Sequence, residues 1–219
     1  MTTTATIAGA QVTRYVQSCF KIKAGELVVW IDPFRVGPVQ VGQDLADVVL
    51  ITHPHTDHLD VRALKACRRE GAPIIASPAA AERLARQDIE ATSLWEGESS
   101  TVQGMQVTAV PGYNGLHPRS RRFNVGFRFN LGGTAFYHAV DTDAVPEMAD
   151  LGPVDVAFLP IGGSFVMDEL EAARAVAMVK AATVVPMHYG FATGGSPQRF
   201  ALAVGDTAQV VVLAPALPV

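Results

Sequence analysis

The run His53-Pro54-His55-Thr56-Asp57-His58 places four potential metal ligands within six residues. Imidazole nitrogens suit zinc, copper, iron and nickel, and a carboxylate widens the choice towards harder ions. His53 and His55 are two residues apart, so a loop leaving a strand can turn both rings towards one ion. Asp57 and His58 are adjacent and can serve a second ion where the chain turns into a helix. The apolar stretch Asp47 to Thr52 reads as a buried strand and delivers this run at its end.

Other candidates separate by context. His188 follows the apolar run Thr183 to Met187 and is displayed at a strand end as His53 is. Asp141 follows Thr134 to Val140 in the same way, and its carboxylate either bridges two ions or opens a turn. His138, three residues earlier, falls on the opposite face by period-two alternation and reads as a core histidine. His117 sits in a turn-rich loop, where it completes an ion's coordination, contacts substrate or is simply exposed. Arg119, Arg121 and Arg122 flank it; their guanidinium forks suit phosphate or carboxylate, and a solvated charged loop accounts for them equally well. Gly162 and Gly163 precede a helix start, where backbone could approach an anionic group.

Elements must hold these residues. Strand-length apolar runs occur at Leu27 to Ile31, Asp47 to Thr52, Pro73 to Ala76, Met105 to Val110, Phe123 to Phe129, Thr134 to Val140, Val154 to Leu159, Thr183 to Met187 and Gln209 to Leu213. Helical patterns cover Val61 to Glu70, with Asp60 as its cap, Pro78 to Gln87, Asp168 to Ala181, and a segment opening at Ser196-Pro197. The alternation predicts one α/β domain over residues 1–219, and no internal repeat is visible.

Composition narrows the function. Hydrophobic residues make up 49% and charged residues 17%, against roughly 25% charged in typical soluble proteins. A net charge of -4 provides no global basic field, which argues against nucleic acid as the main partner. Met1 to Ala10 does not read as a signal peptide, and no window approaches the roughly 18 apolar residues of a membrane span. Cys19 and Cys67 form neither a disulfide framework nor a metal knuckle. The expectation is a cytoplasmic protein, with Cys67 buried and a homo-oligomer allowed.

On Thr52-His53-Pro54-His55-Thr56-Asp57-His58, then Asp141-Thr142, then His188, the chain resembles the metallo-β-lactamase-fold hydrolases. Ile31-Asp32-Pro33 matches an early strand-end Asp of that family. Val110-Pro111-Gly112-Tyr113-Asn114 with His117, and the segment Leu159 to Asp168, are similar to motifs of its UlaG-like and phospholipase-D-like branches. The resemblance implies a four-layer αββα sandwich and two divalent metal ions, zinc ahead of manganese or iron. Their ligands would be His53, His55, Asp57, His58, Asp141 and His188, with Asp32 holding a ligand imidazole from behind. Relatives carry a His where this chain has Tyr113-Asn114. Tyr113, Asn114 and His117 therefore stand as candidates to touch metal or substrate. Val140 replaces the usual Gly before Asp141.

The implied activity is metal-dependent hydrolysis of a small ester-type substrate by a metal-bound hydroxide, with Asp57 orienting the nucleophile. The order of expected substrates is a phosphodiester, which the arginine forks would suit if they face the site, then a lactone or other ester, with a β-lactam lower. The alternative is a metal-binding or sensing protein of the same fold with little turnover. A groove blocked by Tyr113 or Tyr189 would favour that alternative.

Overall fold

The computed structural model describes residues 2–119 and 122–217. β4 (Leu27–Ile31) and β5 (Val48–Ile51) are apolar at every position because both of their faces are covered. Side chains alternate along a strand. Val29, Ile31, Val48 and Leu50 accordingly face one core, while Trp30, Val49 and Ile51 join a second. That second core takes Val41 from the short α1 (Pro38–Val41) and is closed by Ala63, Leu64 and Cys67 of α2 (Val61–Cys67) and by Ala80 and Leu84 of α3 (Pro78–Ala85).

The first sheet begins as an antiparallel meander of β1 (Thr4–Ile7), β2 (Ala10–Arg14), β3 (Phe20–Ala24) and β4. It continues in parallel through β5, β6 (Ile74–Ala76) and β7 (Thr92–Ser93). The second sheet repeats the plan. β8 (Ser99–Val102), β9 (Met105–Pro111), β10 (Val125–Leu131) and β11 (Thr134–His138) are antiparallel, and β12 (Val156–Pro160), β13 (Thr183–Met187) and β14 (Gln209–Val210) add in parallel. A repeated connectivity thus underlies a sequence in which no repeat is visible.

Phe20 of β3 and Phe158 of β12 meet across the two sheets with ring centroids 4.5 Å apart. α4 (Glu169–Val179) buries Ala172, Ala175 and Val176 and packs against α5 (Pro197–Val204). With α2 and α3 covering the first sheet, the result is the expected αββα sandwich. Truncating a fully buried residue such as Leu50 to Ala would cost about 2–5 kcal/mol.

The helix starts follow capping chemistry. The Asp60 carboxylate accepts from the Arg62 and Ala63 amides, that of Asp168 from the Glu171 amide, and the Ser196 hydroxyl from the Arg199 amide. His138 is fully buried, with Nε2 3.2 Å from the Ser18 carbonyl oxygen, as period-two alternation requires. Cys67 is buried, and burial pushes its thiol up to about 12. Two expected strands end early: β11 stops at His138 and β14 at Val210. No helix among the described residues is long and apolar enough to cross a membrane.

Candidate metal centre

The candidate ligands leave the C-terminal ends of strands, where open α/β sheets place their ligands. β4 releases Asp32, β5 releases Thr52 and His53, the chain beyond β11 presents Asp141, and β13 releases His188. Asp32, Val140 and His188 have φ of 45°, 64° and 53°. Non-Gly residues in this left-handed region carry local strain, which collects at functional sites. The His53–His58 segment is held from several sides. The His58 and Leu59 amides donate to the His55 carbonyl oxygen, Asp60 caps α2, and Arg83 of α3 donates to the Pro54 carbonyl oxygen.

His53, His55 and His117 form one convergence. His55 Nδ1 lies 3.1 Å from His53 Nε2 and 3.2 Å from His117 Nε2. Asn114 Oδ1 is 3.0 Å from His117 Nδ1 and accepts from the His117 amide at 2.8 Å. That contact assigns the Nδ1–H tautomer and leaves Nε2 as a lone-pair donor. Burial pushes His117 down to about 4 and His53 further below its ordinary value, so both are neutral at physiological pH. Phe123 packs against all three rings.

Asp57, His58 and His188 form the second convergence, with Asp141 between the two. Asp141 places Oδ1 3.3 Å from His58 Nε2 and Oδ2 3.1 Å from His188 Nε2 and 3.9 Å from His53 Nε2. Burial opposes ionisation of Asp141, yet His58 and His188 outweigh it and hold the carboxyl well below its usual range. Burial likewise opposes charging of His58, but Asp141 and Asp32 raise it well above an ordinary histidine. Asp32 accepts from the Thr52 amide at 2.8 Å and from its hydroxyl at 2.6 Å, and its Oδ2 stands 2.7 Å from His58 Nδ1.

Whether this donor set fits a metal can be tested on its own atoms. His58 Nε2 and Asp141 Oδ1 are buried and 3.3 Å apart, yet neither makes a hydrogen bond of good geometry with the other or with any other group, and buried polar atoms rarely remain so without a reason. Three imidazoles converge with nitrogens about 3 Å apart; a single ring N–H on His55 can satisfy one of the two contacts, and the remaining lone pairs converge where a cation would be held. Groups His53/His55/His117, His53/His58/Asp141 and Asp57/His58/His188 could each hold an ion. The residues fit a divalent metal of imidazole and carboxylate preference.

Several residues named from the sequence are engaged away from the cluster. Tyr113 turns away from the cluster, its hydroxyl donating to Glu147 Oε2 at 3.0 Å. Arg119 pairs with Glu96 at 2.5 Å and with Glu147 at 2.6 Å, which holds it outside the site. Arg122 lies over the Trp95 ring at 5.5 Å, and Arg121 lies outside the described residues. At Gly162 a Cβ would stand 2.4 Å from both the His188 carbonyl oxygen and Thr193, and the Gly163 amide donates to the Met167 carbonyl oxygen at 3.0 Å rather than to a ligand. Gly162 serves close packing of the His188 loop.

A cavity of about 370 Å³ opens on the cluster. Gln17, Asp57, His117 and His188 contribute to its wall, with Leu116, Phe165 and Ala192 from the surrounding loops, and no Lys or Arg among the described residues lines it. Gln17 and Phe123 were reached by no motif. Neither residue type signals metal chemistry.

The chain is also similar to known proteins. Residues 11–188 match the family model described as a β-lactamase superfamily domain. A UPF0173 metal-dependent hydrolase of Thermococcus kodakarensis is 37% identical over 87% of this chain and 91% of that protein. One from Pyrococcus abyssi is 36% identical over the same shares. The solved structure of Igni18, a metallo hydrolase from Ignicoccus hospitalis, is 26% identical, with a TM-score of 0.82 over 94% of this chain and 95% of that one.

Proposed function

Since the chain belongs to the β-lactamase superfamily, among its UPF0173 metal-dependent hydrolases, we propose that it is a two-ion hydrolase of small uncharged carboxylic esters or lactones. The observation that carries this reading is the buried pair His58 Nε2 and Asp141 Oδ1, which face each other at 3.3 Å without hydrogen-bond geometry at the junction of two donor clusters. We assign His53, His55 and His117 to one ion, Asp57, His58 and His188 to the other, and Asp141 to both. Zinc is the favoured ion because most of the donors are imidazoles.

Bound ions supply Lewis acidity, acidifying a water and polarising the bond to be cut. The chain's own groups do the rest. Asp57 is at the cavity wall, where a carboxylate oxygen can orient the attacking water and take up its proton. Asp32 holds His58 in one tautomer, and Asn114 does the same for His117. Leu116 and Phe165 shield the reacting group from bulk water.

The cavity supports an uncharged substrate over a phosphodiester, reversing the order suggested by the arginines. Arg119 and Arg122 are engaged elsewhere, and Leu116 and Phe165 offer exposed apolar surface at the mouth. Turnover is favoured over sensing by the two tyrosines that could have blocked the groove. The Tyr113 hydroxyl meets Glu147, and the Tyr189 ring lies under Arg14. The core shared by both sheets supports a single domain, and the two buried, unbridged thiols support a cytoplasmic setting.

The test is a panel of an aryl carboxylic ester, an alkyl lactone and an aryl phosphodiester, assayed with zinc-loaded and chelator-stripped protein. The loaded protein should hydrolyse the ester or lactone at least about tenfold better than the phosphodiester, equivalent to ~1.4 kcal/mol of barrier. Activity should vanish on stripping and in His55→Ala. Undiminished hydrolysis in either case would rule the proposal out.

A further inference from the structure

Gln17 lies in the turn between β2 and β3, fully buried, with φ of 55°. Its Nε2 stands 3.3 Å from Asp57 Oδ2 and 3.4 Å from His188 Nε2. Its backbone carbonyl accepts from the His188 amide at 3.2 Å. One residue therefore touches two of the three donors in the Asp57/His58/His188 cluster, and those two donors come from opposite halves of the chain. Gln17 Oε1 is buried without a partner. A left-handed backbone and an unpaired buried oxygen both oppose folding, and such features persist where a site over-determines them.

The chemistry of the amide suits this place. Its N–H can donate to the Asp57 carboxylate without setting a positive charge beside a cation, as Lys or Arg would. An acid in the same position would repel Asp57. The amide orientation follows from its neighbour, since an oxygen at the Nε2 position would face the carboxylate.

We infer that Gln17 is a positioning residue that holds Asp57 through its side-chain amide and His188 through its backbone carbonyl, and so sets the affinity of the second ion, without ligating it. The inference rests on the two-ion reading of the site. It goes beyond that reading by making the β2–β3 turn of the first sheet part of the metal centre.

Zinc titration of the stripped full-length protein against a chromophoric chelator reads the two affinities. Gln17→Met keeps the length of the side chain and removes the amide. It should weaken the second ion about tenfold or more, leave the first within about twofold, and melt no lower than wild type when stripped. In an Asp57→Ala background the same change should have almost no further effect, because the coupled partner is gone. If Gln17→Met does not fold, Gln17→Asn, which draws the amide back by one methylene, is expected to show the same selective loss. Equal weakening of both ions, or a second-ion affinity unchanged in the variant, would overturn the role of Gln17 alone. A wild-type chain that takes up a single ion would overturn the two-ion reading and this inference with it.

Discussion

His58 Nδ1 lies 2.7 Å from Oδ2 of Asp32, and both side chains are fully buried. The bond fixes the His58 tautomer and turns Nε2 towards Asp141. Asp32→Asn should therefore lower affinity for a divalent ion by about 10–100-fold. It should also cost about 1–3 kcal/mol of stability, since Thr52 loses a charged acceptor. Calorimetric zinc titration checks the first effect, and an unchanged affinity would contradict it.

His117 and Tyr113 are four residues apart with opposite fates. His117→Ala should remove the ion held with His53 and His55. Tyr113→Phe should leave metal content unchanged and cost about 1 kcal/mol, the net worth of the hydrogen bond to Glu147. Metal analysis of both purified variants distinguishes them; loss of metal in Tyr113→Phe would count against the placement of the loop.

His138 makes the fold acid-labile. Burial pushes it down to about 4, against about 6.5 for a free histidine. As pH falls from about 6.5 to about 4 the unfolded chain gains a proton that the folded chain refuses. Stability that is complete above about 6.5 is lost across that window, by up to ~3 kcal/mol. Urea unfolding of stripped wild type and His138→Gln at neutral and acidic pH should show a shallower acid loss in the variant, and parallel losses would refute this.

Gly112 and Val140 are fitted to each other. A Cβ on Gly112 would lie 2.5 Å from Val140 Cγ1 and 3.2 Å from the Ala139 carbonyl oxygen. Gly112→Ala should destabilise by about 1–3 kcal/mol, or very roughly 2–12 °C in Tm for a chain of this size. Val140→Ala removes the colliding methyl group, so the double variant should lose less than the sum of the two single changes. Strict additivity in thermal melts would show that the two positions are uncoupled.

Much of this was legible in the sequence, for physical reasons. β4, β5, β12 and β13 are apolar runs because both faces are buried, and site residues follow the ends of β4, β5 and β13. β1 and β8 were missed because they are edge strands with exposed Thr and Ser. β3 was missed although Phe20 and Ile22 alternate with Lys21 and Lys23, which both pair with Asp44. The engagement of Arg119 was not legible because its partners Glu96 and Glu147 are distant in sequence. Gln17 was invisible because its role depends on a turn from one half of the chain reaching Asp57 and His188 at once.

The most direct test of the account is to titrate chelator-stripped protein with zinc while following hydrolysis of an uncharged aryl ester. The account predicts no hydrolysis without metal and a rate that rises with occupancy until two equivalents are bound. Hydrolysis by the stripped protein, or a rate indifferent to bound zinc, would contradict it.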